Sequence, residues 1–204
     1  MTVNNAPKPK KVLLFIPKGA EELEISAFTD VMGWSRIHGT EPVELLTTGL
    51  HREIQCAWNL RLIPELLIDK VSADDFDALA IPGGFETADY YEDAFDERTQ
   101  KLIRTFQSAN KPIACICVAA LALGKAGILK EKNATTYDLP EGDRQQQLAD
   151  FGAHIKKGRV VIDHNIITST GPGTALDVAF LLLEFLTNKE NVQQVKHYMR
   201  ISRD

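Results

Sequence analysis

Apolar residues are distributed along the chain in two patterns. Three short runs are apolar at nearly every position and then stop: KVLLFIP (11–17), ALAIPGG (78–84) and KPIACIC (111–117). Such runs predict strands buried on both faces, as in a parallel sheet. PVELLTT (42–48) and LRLIP (60–64) read as further strands. The segments between the buried strands predict helices, so that strands and helices alternate.

The helical segments carry their own signals. GAEELEISAFTDVMGWSRIHG (19–39) has acidic residues in its first turn, Leu23, Ala27 and Val31 at helical spacing, and Gly39 at its end. A polar helix at about 95–109 precedes the third buried strand, and the small-residue segment VAALALGKAG (118–127) follows it. Helices on both faces of a mostly parallel sheet define the predicted fold class, an α/β, flavodoxin-like sandwich.

The pattern changes after residue 127. NATTYD predicts a short strand, GDRQQQLADFGA a short helix, and RVVID with NIITST two tightly joined strands. The last predicted helix, in GPGTALDVAFLLLEFL, has Thr174 and Asp177 at the spacing of a capping box, and Leu176, Phe180 and Leu183 on one face. No linker is visible. We expect a flexible N-terminal arm at 1–10 and a single domain at 11–204.

Composition excludes several classes of partner. The 204-residue chain is 44% hydrophobic and 25% charged, with a formal net charge of −5 and scattered basic residues. Nothing therefore favours nucleic acid or an anionic membrane as a partner. The longest apolar run (113–123) is shorter than the roughly 18 residues of a membrane span, and no signal peptide is evident. With three cysteines and no CxxC or HExxH motif, we expect a cytoplasmic protein without a metal site.

Three loops follow the carboxyl ends of the predicted buried strands, where open α/β sheets bind ligands. The loop 17–24 offers carboxylates, the loop 83–87 offers glycine amides, and the junction at Cys117 offers a thiol. A sharp strand-to-helix turn exposes its central side chain to the helix amides, and the helix favours a thiolate there. Cys117 is therefore the candidate nucleophile, whereas Cys115 lies within the strand and is expected to pack in the core.

Four segments carry a family resemblance. PKGAEELE, IPGGFETA, ACICVAALAL and TSTGPGTALDVAFLLLEFL, in this order, resemble the signature segments of the ThiJ/PfpI superfamily, most closely its branch of Parkinson-disease-associated deglycases. The resemblance covers about residues 11–190. It implies that Cys117 is the reactive residue, that a protonated Glu24 hydrogen-bonds it, and that Gly83, Gly84 and the amide of Val118 form an oxyanion pocket. Burial and the neighbouring charge are expected to raise the pKa of Glu24.

The sequence also departs from this superfamily. Protease-like members have histidine directly after the nucleophile, where this chain has Val118, which disfavours a peptidase. The deglycase branch has a histidine where TTYD places Tyr137, a poor base at pH 7. A late histidine–glutamate pair, as in class I glutamine amidotransferases, is also missing. We expect surface roles for all five histidines: His38, His51, His154, His164 and His197.

The resemblance further implies a homodimer. Members of the family place basic side chains from the neighbouring subunit near the cysteine, and the matching positions here are Trp34 and Trp58. An aromatic rim would favour a less polar ligand than a phosphate or carboxylate, but packing of the two tryptophans at an interface is the favoured interpretation. Cys56 is assigned to the same interface region with a structural role.

Two classes of function follow. The first is a cofactor-independent enzyme in which Cys117 attacks a small carbonyl compound, as in glyoxalase, deglycase or small-amide hydrolase chemistry, with Glu24 moving protons. The second is a stress-response protein, either a redox sensor that uses oxidation of Cys117 without turnover or a chaperone-like relative.

Overall fold

A mostly parallel sheet forms the centre of the molecule. The computed structural model describes residues 8–201, so most of the predicted N-terminal arm lies outside the described residues. Eleven strands occur in that part of the chain: β1 (Lys10–Phe15), β2 (Val43–Gly49), β3 (Ile54–Gln55), β4 (Arg61–Leu62), β5 (Leu66–Leu67), β6 (Ala78–Ile81), β7 (Ile113–Cys115), β8 (Asn133–Ala134), β9 (His154–Ile155), β10 (Val160–Asp163) and β11 (Ile166–Ser169).

Seven of these strands pair in the order β10–β11–β7–β6–β1–β2–β5. All neighbours are parallel except β10 and β11, which form an antiparallel hairpin at one edge. The three apolar runs become β1, β6 and β7, and they lie side by side with almost every residue buried. The predicted α/β fold class is confirmed, because the apolar runs are the central strands of a sheet covered on both faces.

Seven α-helices flank the sheet within the described residues: α1 (Glu22–His38), α2 (Tyr90–Ala94), α3 (Glu97–Ser108), α4 (Ala119–Lys125), α5 (Arg144–Asp150), α6 (Ala175–Leu186) and α7 (Lys189–Tyr198). Helices α1, α6 and α7 pack together on one face, and α3, α4 and α5 pack together on the other. Along residues 8–201, none of the helices combines the length and the apolar character needed to cross a bilayer.

Some details of the helices differ from the sequence prediction. Leu23 and Leu176 are exposed, at 55% and 41%, so neither belongs to a buried face. The buried face of α1 contains Glu24 together with Phe28 and Val31. The prediction of a capping box at Thr174 is wrong. The Thr174 hydroxyl donates to the carbonyl of Gly171 at 2.7 Å and accepts from no helix amide.

Two further elements were missed or misplaced. The segment LRLIP contributes only β4, which pairs with β3 outside the main sheet, while β5 occupies the sheet edge. The segment after the last predicted helix, for which the sequence predicted no element, forms α7. Its N-cap is Asn188, whose side chain accepts from the amide of Asn191. Val192 and Val195 bury the inner face of α7, which explains why this segment is ordered.

Candidate active site

The carboxyl ends of β1, β6 and β7 bring the three candidate loops together. Ile81 at the end of β6 is paired with Cys115 at the end of β7, and the next amide, that of Ile116, donates to the carbonyl of Ile81 at 3.2 Å. This register places Gly83 against Cys117: a Cβ atom built on Gly83 would lie 2.8 Å from the Cβ atom of Cys117. Adjacent central strands therefore create the site that sequence reasoning placed at this edge.

Cys117 occupies a strained turn between β7 and α4. Its φ is +57°, a left-handed conformation that costs a non-glycine residue about 1–2 kcal/mol. The surroundings hold this conformation: the Cys117 amide donates to the Ser169 carbonyl at 3.0 Å, and its carbonyl accepts from the Thr136 hydroxyl at 2.9 Å. The strand-to-helix elbow inferred for Cys117 is therefore present. Cys115, in contrast, is completely buried within β7.

Glu24 is a completely buried carboxyl group. Its Oε2 atom accepts from the amide of Gly83 at 2.6 Å. Its Oε1 atom has no hydrogen-bond partner among residues 8–201. Cys117 adjoins the carboxyl group: a Cβ atom built on Gly83 would lie 3.1 Å from Oε2 of Glu24 and 2.8 Å from the Cβ atom of Cys117. Burial raises the pKa of Glu24 from 4.5 to about 8, so that the group is mainly protonated at neutral pH.

Cys117 is a protonated thiol and not the thiolate expected at the N-terminus of a helix. Burial raises the pKa of Cys117, and the Glu24 carboxylate raises it further, while the amide of Val118 acts in the opposite direction. Helix α4 has only seven residues, and its field does not offset the loss of hydration. The resting pair therefore holds both protons near neutral pH. Its first ionisation near pH 8 leaves a negative charge mainly on Glu24, because burial raises the pKa of the Cys117 thiol above its ordinary value.

Gly83 and Gly84, both expected to form an oxyanion pocket, differ in their roles. Neither has a positive φ, so the reason for glycine is close packing and not an unusual turn conformation. A Cβ atom on Gly84 would lie 2.2 Å from the carbonyl oxygen of Gly19. The amide of Gly83 is already used by Glu24, which makes Gly83 a support for the acid and leaves its N–H unavailable to a substrate oxyanion. The amides of Gly84 and Val118 donate to no backbone carbonyl within residues 8–201.

A cavity of about 190 Å³ opens beside Cys117. Five residues predicted from the sequence line it, namely Glu24, Gly84, Cys117, Val118 and Tyr137. Six further residues line it that sequence reasoning did not select: Glu21, Phe85, Glu86, Tyr91, Arg144 and Pro172. Arg144 lies at the start of α5 and Tyr91 lies in α2, and neither segment carried a motif.

The two tryptophans lie apart from each other. Trp34 stacks on His38, with ring centres 5.3 Å apart, and does not line the cavity. Trp58 is 62% exposed. Its ring meets that of Phe85 edge-on, with 5.0 Å between the ring centres, and its indole N–H donates to Oε1 of Glu21 at 2.9 Å. Within one chain, Trp58 contacts Phe85 of the cavity wall, which also contains charged side chains. An aromatic rim contributed by a second subunit stays a prediction.

Among residues 8–201, no histidine lines the cavity, in agreement with the surface roles expected for all five. His51 is paired with the buried Asp93, with 2.9 Å between Nε2 and Oδ1, away from Cys117. Within residues 8–201 no group of three or more potential metal ligands is found.

Comparisons with known proteins agree with the geometry. The sequence model of the DJ-1/PfpI family matches residues 10–185. Protein dj-1beta of Drosophila melanogaster is 32% identical over 186 residues, which are 91% of this chain and 94% of the relative. The crystal structure of that protein superimposes with a TM-score of 0.83, at 28% identity, and covers 96% of this chain and 100% of its own.

Two other relatives have names that state an activity. The "Glutathione-independent glyoxalase DJR-1.2" of Caenorhabditis elegans is 27% identical over 191 residues, 93% of this chain and 95% of the relative. The "Putative cysteine protease YraA" of Bacillus subtilis is 38% identical over 167 residues, 80% of this chain and 90% of the relative. These names point to different reactions of a related fold.

Proposed function

Because the chain belongs to the DJ-1/PfpI family, we propose that it is a cysteine-dependent enzyme that acts on small 2-oxoaldehydes, with Cys117 as nucleophile and Glu24 as acid–base group. The observation that carries this proposal is the buried Glu24 carboxyl group beside Cys117, which accepts from the Gly83 amide on Oε2 and has no hydrogen-bond partner on Oε1 among residues 8–201. A buried acid with a pKa near 8 is suited to moving protons at cellular pH.

The reaction begins with the singly ionised pair. As the sulfur of Cys117 attacks the aldehyde carbon, its proton passes to Glu24, and the electron pair of the C=O bond moves to the oxygen. The amides of Gly84 and Val118 are available to that oxyanion, which then takes the proton and completes a hemithioacetal.

Glu24 can complete the conversion without a cofactor. The carboxylate removes the proton from the former aldehyde carbon, giving an enediolate. The protonated Glu24 returns this proton to the neighbouring carbon while the hydroxyl proton passes from the first oxygen to the second, giving a thioester of a 2-hydroxy acid. Water hydrolyses the thioester and restores the thiol. For methylglyoxal the sum is methylglyoxal plus water to lactic acid, so that atoms and protons balance. The relative named as a glyoxalase supports this reaction.

A peptidase is less consistent with the site. An amide leaving group must be protonated, but the residue after the nucleophile is Val118, and in the described part of the chain no histidine lines the cavity. A redox sensor requires an exposed thiol of low pKa. Cys117 is only 8% exposed and burial raises its pKa, which favours the turnover hypothesis over sensing. A homodimer and a cytoplasmic location remain predictions from the sequence.

The test is consumption of methylglyoxal, with lactate measured as product. We expect turnover by the unmodified chain, loss of at least about a hundredfold in Cys117→Ser, and retained turnover in the matched control Cys115→Ala, which removes the thiol two positions earlier. Equal turnover with and without the Cys117 thiol, or no turnover by the unmodified chain, would contradict the proposal.

A further inference from the structure

Arg144 introduces a positive charge into the wall of the cavity that contains Cys117. It is the basic side chain among the cavity-lining residues in the described part of the chain. Its Nη2 atom donates to Oε2 of Glu86 at 2.6 Å, and its Nη1 atom donates to Oε1 of Gln147 at 2.9 Å. The guanidinium carbon lies 5.2 Å from the centre of the Tyr91 ring. The guanidinium group is therefore held in place on two sides.

The Glu86 carboxylate is an exchangeable partner for this arginine. Its side chain is 67% exposed, and it lies on the single-turn helix Glu86–Ala88. An ion pair with a partner this exposed contributes at most about 1 kcal/mol. The planar guanidinium group binds carboxylates with matched geometry. A carboxylate that enters the cavity can therefore replace Glu86 on Arg144 at small cost.

Tyr91 supplies a second group for such an anion. The ring lies against Arg144, and the residue lines the same cavity. Its hydroxyl is inaccessible to solvent and has no hydrogen-bond partner within residues 8–201. A buried hydroxyl without a partner is costly, so rotation of the Tyr91 side chain toward an anion bound to Arg144 would give the hydroxyl an acceptor.

The acidic residues of the cavity limit where an anion can bind. Glu24 is mainly uncharged at pH 7 because its pKa is about 8, and Oε1 of Glu21 accepts from the indole of Trp58. The anionic end of a ligand is therefore favoured on the side of the cavity formed by Arg144 and Tyr91, with its electrophilic end toward Cys117. The positive charge of Arg144 thus favours an anionic ligand, in contrast to the less polar ligand that an aromatic rim would favour.

We propose that Arg144 and Tyr91 form a carboxylate subsite beside Cys117, and that the substrate class is 2-oxoaldehydes that carry a carboxylate. This inference rests on the proposed function for the identity of the electrophile. The carboxylate takes no part in bond changes: the sulfur of Cys117 adds to the aldehyde carbon, the thiol proton reaches the new hydroxyl through Glu24, and the carboxylate stays on Arg144.

Alkylation of Cys117 tests the subsite without any turnover. Iodoacetate and iodoacetamide form the same sulfur–carbon bond with loss of iodide, and they differ in that only the first carries a carboxylate. The two rates are measured on the full chain at pH 7.5, with the site of modification identified by peptide mass spectrometry. We expect the iodoacetate-to-iodoacetamide rate ratio to fall about three- to fivefold in Arg144→Gln and to rise about twofold in Glu86→Gln.

Arg98→Gln is the matched control. Arg98 pairs with Asp96 outside this cavity, and its loss changes the net charge by the same amount as the loss of Arg144. An unchanged ratio in both Arg144→Gln and Glu86→Gln, or an equal fall in Arg98→Gln, would overturn the subsite. A ratio that shifts as expected in a protein without methylglyoxal turnover would support the subsite and contradict the proposed function.

A second measurement covers the case in which Cys117 resists both reagents. In Cys117→Ser we expect 4-oxopentanoate, which keeps the carboxylate and lacks the aldehyde, to raise the unfolding temperature more than its neutral amide does. Arg144→Gln in the same background should abolish the difference. Equal effects of the acid and the amide on the Cys117→Ser protein would rule out the subsite.

In an active protein, the ratio of kcat/KM for 4,5-dioxopentanoate to that for methylglyoxal should fall in Arg144→Gln by a similar factor.

Discussion

Two buried carboxyl groups in this molecule have opposite surroundings. Asp93 is 4% exposed and has partners on both oxygens, the Lys18 amide at 2.8 Å and Nε2 of His51 at 2.9 Å. Glu24 is fully buried, accepts a single amide hydrogen bond on Oε2, and has no hydrogen-bond partner on Oε1 within residues 8–201. A saturated carboxylate ties a loop to a helix, whereas an incompletely satisfied one keeps a proton that can be transferred.

Replacement of Glu24 should have the largest effect. We expect Glu24→Gln to lower methylglyoxal turnover by about two to three orders of magnitude, because an amide accepts the Gly83 hydrogen bond but carries no transferable proton. In the unmodified protein, kcat/KM should rise with pH as the pair loses its first proton near pH 8. The rise should be absent in Glu24→Gln.

Asp93→Asn serves as the matched control for this measurement. It changes a buried carboxyl group of similar accessibility and should retain turnover within about threefold, since Asp93 contacts no residue of the cavity wall given a catalytic role. A pH profile that survives in Glu24→Gln, or equal losses in the two variants, would show that Glu24 is not the acid–base group.

Stability should respond to Glu24 in the opposite direction from activity. The folded protein holds the Glu24 proton up to about pH 8, whereas the unfolded chain releases it near pH 4.5. The stability contributed by this protonated carboxyl is therefore fully present below about pH 4.5 and is lost as pH rises through 8. Glutamine avoids the loss, so Glu24→Gln should be the more stable protein by about 3 kcal/mol at pH 7.

Denaturant titrations at several pH values measure this difference. The difference between Glu24→Gln and the unmodified chain should grow by about 1.4 kcal/mol per pH unit between pH 5 and pH 8 and then level off. A difference that does not change with pH would mean that the carboxyl group ionises normally in the folded protein.

Asp93→Asn should destabilise the protein by about 2 kcal/mol. With its oxygen on the Lys18 amide, asparagine can only donate to Nε2 of His51, so both charge-assisted hydrogen bonds of the carboxylate are replaced by weaker neutral ones. Chemical denaturation at pH 7 measures the change. A stabilised Asp93→Asn protein would remove the contrast between the two carboxyl groups.

The sequence predicts the centre of this fold better than its periphery. Fully apolar runs mark β1, β6 and β7 because a central parallel strand tolerates no polar residue on either face. The same rule explains how Cys117 was found, since it follows directly from the end of such a run. The short strand β5 and helix α7 were missed, although Asn188 with Val192 and Val195 was a usable signal for α7.

Glu24 shows why part of the site was harder to read. Leu23, Ala27 and Val31 suggested one helical face, but the buried face of α1 includes Glu24, Phe28 and Val31. Spacing alone favoured the leucine, because a carboxyl group is normally placed in water. Arg144 and Tyr91 come from separate segments that only tertiary packing brings to Cys117, so no local pattern identified them. Family resemblance supplied Glu24 and was silent about the other two.

Backbone strain at Cys117 should give the smallest of the expected effects. Cys117 holds φ at +57°. Asp89, four residues before Asp93, holds φ at +63°, but aspartate tolerates this conformation better than cysteine does. Glycine removes the strain and alanine keeps it, so we expect Cys117→Gly to be more stable than Cys117→Ala by about 1 kcal/mol.

The matched pair Cys115→Gly and Cys115→Ala, within β7, should show the opposite order, because strand geometry gives glycine no advantage there. Thermal and denaturant unfolding of the four variants measure both differences. The same order at both positions would indicate that the elbow stores no strain and that its conformation is not imposed by the Ser169 and Thr136 hydrogen bonds.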